Sequence, residues 1–169
     1  MTGFDTGRLT ARPLERSDAG WLAELHRDPD VMATIGGIRT DAESADWLAT
    51  NLEHWDTHGY GQWVLTNRAD GVIVGRGGLR TIDASVGETL VRDRLHLARS
   101  AWHQGYATET ARAFVTIAFD HYDLAQLGAV TLDTNDASQH VLTKVGFSYE
   151  RDIDHPVGPH RFYRLTRSP

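Results

Sequence analysis

Residues 102–109 read Trp102-His103-Gln104-Gly105-Tyr106-Ala107-Thr108-Glu109, a turn that leads into a stretch placing Ala107, Ala111, Phe114, Val115 and Ala118 at helical spacing. A strand-like run precedes it within residues 90–98. A turn that joins a strand directly to a helix presents backbone N–H groups at the positive end of the helix dipole, which is a ready site for a pyrophosphate. Gly105 and Ala107 would let such a group approach the backbone closely. An ordinary helix start has the same local appearance, so the turn alone leaves both readings open.

Working outward, residues 8–14 alternate loosely and end at Pro13, which suits a short strand near an edge. Ser17 is the expected cap of a helix carrying Trp21, Leu22 and Leu25, stopped near Asp28-Pro29. A second helix is predicted from Asp41, with Ala45, Leu48, Leu52 and Trp55 as its apolar stripe and Gly59 as its end. Strands follow at 62–66 and 72–78, joined through Asn67-Arg68-Ala69-Asp70-Gly71, where Asp-Gly signals a hairpin. Beyond the 102–109 turn and its helix, residues 127–133 read as a buried strand. Asn135 then caps a helix with the stripe Ala137, Val141, Leu142 and Val145, ended by Gly146. Residues 147–151 and 161–166 make the last two strands.

A chain of 169 residues fits one domain, 1–169. The 17 basic against 23 acidic side chains give a formal charge of -6, which opposes binding to nucleic acid. No run reaches the roughly 18 apolar residues needed to cross a bilayer, and no basic-then-apolar leader follows Met1. The cytoplasm is the expected compartment, with no membrane partner. With no cysteine in the sequence, a cysteine-bound acyl group, thiolate metal ligation and disulfides are excluded. His54 and His58 lie four apart on the second helix, but no His-Glu-x-x-His pattern surrounds them, and no metal is expected. Trp47, Trp55, Trp63 and Tyr60 could wall an acceptor pocket, although aromatic residues at these spacings are more often core.

A second segment runs Asn135-Asp136-Ala137-Ser138 and continues through Val141, Leu142, Lys144, Val145, Gly146 and Phe147. Taken with the 102–109 turn and with Arg8-Leu9, Arg12-Pro13-Leu14, Asp18-Ala19 and Asp28-Pro29, the chain resembles the GNAT acetyltransferase superfamily, in its RimJ/RimL-like branch, over nearly its whole length. The resemblance implies an α/β (α+β) fold, with a mixed, splayed, mostly antiparallel sheet of about seven strands and about four helices. It also implies acetyl-CoA as co-substrate, lying between the strand before Trp102 and the strand after Leu127. The cofactor-binding positions would be Leu97, Ala98, Arg99, Trp102, His103, Gln104, Gly105, Tyr106, Ala107, Thr108, Asn135 and Ser138.

The implied reaction is transfer of an acetyl group to a primary amine, on a small molecule or a protein N-terminus, by direct attack in a ternary complex. It needs a neutral amine, an N–H donor for the developing oxyanion and a proton for the departing thiolate. The donor would be a backbone amide at Leu97, Ala98 or Arg99. Some positions depart from the family pattern: His103 stands where the branch has a second glycine, and Leu142 where many members carry a proton-donating tyrosine. Arg92 occupies the place of a common strand glutamate. His96 is the substitute base, with Asp93 and Glu88 nearby, and its alternative role is that of an ordinary sheet residue. Ser138 matches a serine that serves as proton donor in the branch, and its alternative role is helix capping. A non-catalytic acyl-CoA sensor is the competing function, and a homodimer is a compatible assembly.

Overall fold

The structure, a computed structural model, describes residues 3–82, 90–154 and 158–167. It divides into two compact units, residues 1–78 with 95–106 and residues 79–94 with 107–169.

In the first unit, β1 (Phe4–Asp5), β2 (Leu9–Pro13), β3 (Gln62–Asn67) and β4 (Ile73–Ile82) are successive antiparallel neighbours. The register places Ala11 opposite Leu65 and Leu65 opposite Gly75, with an irregularity at Leu65/Thr66. Asn67 and Gly71 close the β3–β4 turn, Gly71 adopting the left-handed φ of 73° that the Asp-Gly signal predicts. The C-terminal end of β5 (Leu90–Leu97) belongs to this unit, where the Ala98 amide donates to the Val74 carbonyl at 2.9 Å.

Three helices accompany these strands: α1 (Ala19–Arg27), α2 (Pro29–Met32) and α3 (Asp41–His58). Leu14, Leu22, Leu48 and Val64 form a buried cluster, against which Trp21, Trp47, Leu52 and Ile73 pack. Cutting Leu22, fully buried there, to alanine would cost about 2–5 kcal/mol. Thr40 and Glu43 form a reciprocal capping box at the start of α3, and Gly59 at φ 71° ends it.

Three expectations for this unit are corrected. Ser17 is not a cap. It lies inside a 3-10 turn, Arg16–Asp18, whose N-terminus is closed by a capping box between Glu15 and Asp18. The buried line of α3 is Ser44, Leu48 and Asn51, while Ala45 is exposed, so the stripe is rotated by about one residue. The two-residue strand β1 and the single turn of α2 are additional elements; Asp28 caps α2 by accepting from the Asp30 amide at 3.0 Å.

In the second unit β5 pairs in parallel with β6 (Gln126–Leu132) at Arg92 and Gly128. β6 pairs antiparallel with β8 (His160–Thr166), and β8 with β7 (Ser148–Ile153). α4 (Tyr106–Thr116) ends in a π-helical turn, Ile117–His121, and α5 (Asp136–Lys144) connects β6 to β7. Gly146 follows α5 at φ 101°, as its position predicts. Among the described residues, eight strands and five helices give the mixed, mostly antiparallel α/β fold expected.

Candidate active site

The expected site residues fall in both units: 97–106 in the first, and Ala107, Thr108, Asn135 and Ser138 in the second. In the first, β5 gives way to a 3-10 turn, Arg99–Ala101, and then to the loop that starts α4. Two residues of this loop take left-handed backbone, His103 at φ 59° and Gly105 at φ 80°. His103 therefore holds a conformation in which glycine would be at ease. Alternation of hand over successive residues turns neighbouring amides toward one side, the arrangement that binds anions.

The loop is fastened from several directions. The Trp102 indole donates to the Leu97 carbonyl at 2.9 Å, and the Gln104 side-chain amide donates to the Ser100 carbonyl at 2.7 Å. Arg8, from the segment before β2, donates to the Gln104 carbonyl at 2.8 Å and lies 4.5 Å over the Tyr106 ring. A methyl group on Gly105 would come within 3.4 Å of that guanidinium. Asn67 of the β3–β4 turn donates to the buried Tyr106 hydroxyl at 3.3 Å. Arg99 pairs with Asp30 of α2 at 2.5 Å.

Of the expected oxyanion donors, the Ala98 amide is committed to Val74. The Arg99 amide opens the 3-10 turn, where helical N–H groups have no partner within the helix. His96 is half-buried on β5. A side chain on Gly75 would meet the His96 carbonyl and lie 2.8 Å from the Leu97 Cα, so β4 approaches this end of β5 closely. Glu88 lies outside the described residues, and of Arg92 and Asp93 only the backbone is described.

In the second unit the Asn135 side chain accepts from the Ser138 amide at 3.0 Å, so Asn135 is the helix cap that its spacing predicts. That bond uses the Ser138 backbone and leaves its hydroxyl for other work; the side chain is half-buried. Gln139, one residue on, donates to the Leu132 and Asp133 carbonyls and accepts from Arg161 at 2.7 Å and from the Tyr163 hydroxyl at 3.1 Å. The end of β6 and the start of α5 are thereby held as one piece. Leu142 is 7 % exposed, an aliphatic core residue.

Two of the aromatic candidates pack against each other. Trp63 is fully buried, and Trp55 stacks edge-on against it at 4.9 Å while donating to the Gln62 carbonyl at 2.9 Å. His54 and His58 lie 4.3 Å apart by ring centroids, and His54 Nδ1 sits 2.9 Å from the Tyr60 carbonyl. Among the described residues no three His, Cys, Asp or Glu side chains are grouped to hold a metal ion. Arg8, Asn67 and Gln139 act as structural supports, a role that motif reading does not assign to them. Arg8 lies 96 residues from its partner Gln104, and no local pattern announces such a contact.

The profile of the acetyltransferase (GNAT) domain matches residues 8–148. The chain is 28 % identical over 153 residues to the uncharacterized protein YkkB of Bacillus subtilis (strain 168), covering 90 % of this chain and 88 % of that one. It is 29 % identical over 155 residues to the FsC-acetyl coenzyme A-N(2)-transacetylase of Aspergillus fumigatus, covering 85 % of this chain and 64 % of that protein. An acetyltransferase structure from Agrobacterium tumefaciens str. C58 superimposes with a TM-score of 0.85 at 22 % identity, covering 99 % of this chain and 95 % of the other. The strand, turn and helix around Gly105 and the match over 8–148 lead to one conclusion: the chain belongs to the GNAT acetyltransferase family.

Proposed function

We propose that the protein moves an acetyl group from acetyl-CoA to a primary amine by direct attack, as a cytoplasmic enzyme of the RimJ/RimL-like branch in which residues 1–169 form one functional domain. The observation that carries this reading is the loop before α4, with left-handed His103 and Gly105 and its amides at the start of an 11-residue helix. Those amides and the helix dipole suit a diphosphate, and the absence of a Cβ at Gly105 keeps the approach open. Acetyl-CoA supplies the activated thioester. The chain supplies orientation, an amide donor at Arg99 for the oxygen that gains charge, and a proton from the Ser138 hydroxyl to the leaving sulfur. His96 receives the proton from the amine.

The relative from Aspergillus fumigatus bears acetyl coenzyme A and an N(2) position in its name, which supports an amine nitrogen as acceptor here. Leu142, where many members carry tyrosine, supports the second reading, an acyl-CoA sensor without turnover. Release of free CoA thiol across a panel of amines, polyamines, aminoglycosides and peptides separates the two: amine-dependent release establishes the enzyme, and binding without release establishes the sensor. Within the enzyme reading, Ser138→Ala lowers kcat by about 100-fold, the lower end for general acid catalysis, with acetyl-CoA affinity unchanged. A fully active variant removes Ser138 from the chemistry.

A further inference from the structure

Beneath α1 and α3 the first unit buries a cation without giving it an anion. Arg76 of β4 is 1 % exposed. Its guanidinium lies 4.0 Å over the Trp47 ring, donates to the Gln62 side-chain oxygen at 3.2 Å, and approaches His26 Nε2 at 3.2 Å. His26 is itself fully buried, with Nδ1 at 3.0 Å from the Ser44 hydroxyl. Nε2 must accept from Arg76, so the proton sits on Nδ1 and the imidazole is neutral. Burial and the charges of Arg76 and Arg39 hold the His26 pKa down to about 3. The acceptors of the cluster are thus consumed, yet donors remain.

Arg76 Nε, Gln62 Nε2 and Arg39 Nη1 are buried N–H groups without a hydrogen-bond partner. No described carboxylate pairs with Arg76, and the charge it feels most is that of a second cation, Arg39. Leaving such a donor unsatisfied carries its full desolvation penalty, larger when the donor is charged. The Glu43 carboxylate acts on Arg39 but is held by the Thr40 amide and hydroxyl, so three donors in one cluster, two of them on arginines, still form an arrangement that an anion would complete. Arg39 is only half-buried, at the end of the segment between α2 and α3 that carries Gly36 at φ 96° and Gly37 at φ 90°. Arg39 is thus the member of the trio that reaches solvent, while Arg76 and Gln62 are buried.

Its location says what the anion belongs to. Arg76 is the residue next to Gly75, which packs on Leu97, and two from Val74, which accepts from the Ala98 amide. The cluster thus sits one strand from the chain segment assigned to the thioester. We propose that Arg39, Arg76 and Gln62 form a carboxylate-binding subsite for the acceptor, which makes the acceptor an amine that also carries a carboxylate. This inference rests on the acetyl-transfer reading for the identity of the ligand as acceptor, and on the first unit alone for the anion site. A planar carboxylate fits a guanidinium fork side-on, and the enclosed position favours a small singly charged group over a phosphate ester.

The test pairs each of a set of L-amino acids with its own carboxamide, measured both as binding by thermal shift with CoA present and as CoA thiol release with acetyl-CoA. The expected result is at least one acid preferred over its amide by about 10- to 100-fold, the worth of a hydrogen-bonded charged group. Arg39→Gln collapses that preference through KM with kcat retained, and Arg39→Lys restores part of it. Arg39 is chosen because Arg76 variants risk unfolding. Acids and amides bound alike in every pair overturn the subsite. Acetate alone giving the protection of the preferred acid overturns its assignment to the acceptor. Acid preference in binding with no thiol released keeps the carboxylate site and overturns the acetyl-transfer reading instead.

Discussion

Arg12 on β2 and Arg76 on β4 belong to the same unit, and the chain treats them in opposite ways. Arg12 meets Asp18 through two parallel hydrogen bonds of 2.9 and 2.5 Å, and the same carboxylate accepts from the Glu15 amide at 2.8 Å. Although burial pushes the Asp18 carboxyl up, Arg12 and the Glu15 amide outweigh it and hold the group below its ordinary value. Every charge there has its partner within eight residues of sequence. Arg76 is more deeply buried than Arg12, which is 39 % exposed by side chain, and has only neutral acceptors and a neighbouring cation. The first site is complete without a ligand. The second is not, and that difference separates an arginine kept for the fold from one kept for binding.

The comparison can be broken most forcefully at Asp18. Asp18→Ala removes the counter-charge and the acceptor for the Glu15 amide together, and should cost about 2–3 kcal/mol by urea denaturation, with acetyl-CoA affinity unmoved. A loss below about 0.5 kcal/mol, the usual effect of a surface substitution, would show that this site is not the structural clasp described.

A second effect separates the sites by pH. His26, facing Arg76, Arg39 and Ser44, has a folded pKa of about 3 against an ordinary 6.5. Its stability contribution is complete above pH 6.5 and is lost as pH falls, at up to about 1.4 kcal/mol per pH unit. Asp18 has a folded pKa below its ordinary value, so its contribution survives until the pH falls through the usual carboxylate range. Stability measured from pH 7 to 3 should therefore fall in two stages. His26→Gln should flatten the first stage and leave the second; an unchanged first stage would contradict the neutral, buried imidazole.

The smallest expected effect concerns Arg39→Gln. Removing a cation that faces Arg76 and His26 should leave stability unchanged or raise it by up to about 0.5 kcal/mol, because sites kept for binding are often not optimised for stability. Thermal melting checks this, and a marked loss would mean that Arg39 serves the fold.

Much of the fold was legible because local physics decides it. Gly59, Gly71, Asn135 and Gly146 mark element ends by capping or by left-handed backbone, and all stand where their spacing places them. Ser17 misled because a serine is the commoner cap, whereas here Glu15 and Asp18 share the task. The α3 stripe was misplaced because Ser44 and Asn51 are buried polar residues, invisible to a count of apolar ones. The loop around Gly105 could be read from one short segment. The cluster at Arg76 could not, since it joins residues 26, 39, 44, 47, 62 and 76, and charged residues in a sequence look like surface until packing shows otherwise.

Under the proposed function, the loop before α4 holds acetyl-CoA through its backbone at Gly105. Titration of acetyl-CoA into the parent and into Gly105→Glu, each first shown to be folded by circular dichroism, tests it directly. The substitution places a side chain at φ 80°, beside the Arg8 guanidinium, and a negative charge where the diphosphate should sit. Micromolar binding by the parent and a loss of about 100-fold or more in the variant, which corresponds to roughly 2.7 kcal/mol, are expected. A folded Gly105→Glu protein that binds acetyl-CoA as tightly as the parent would contradict it.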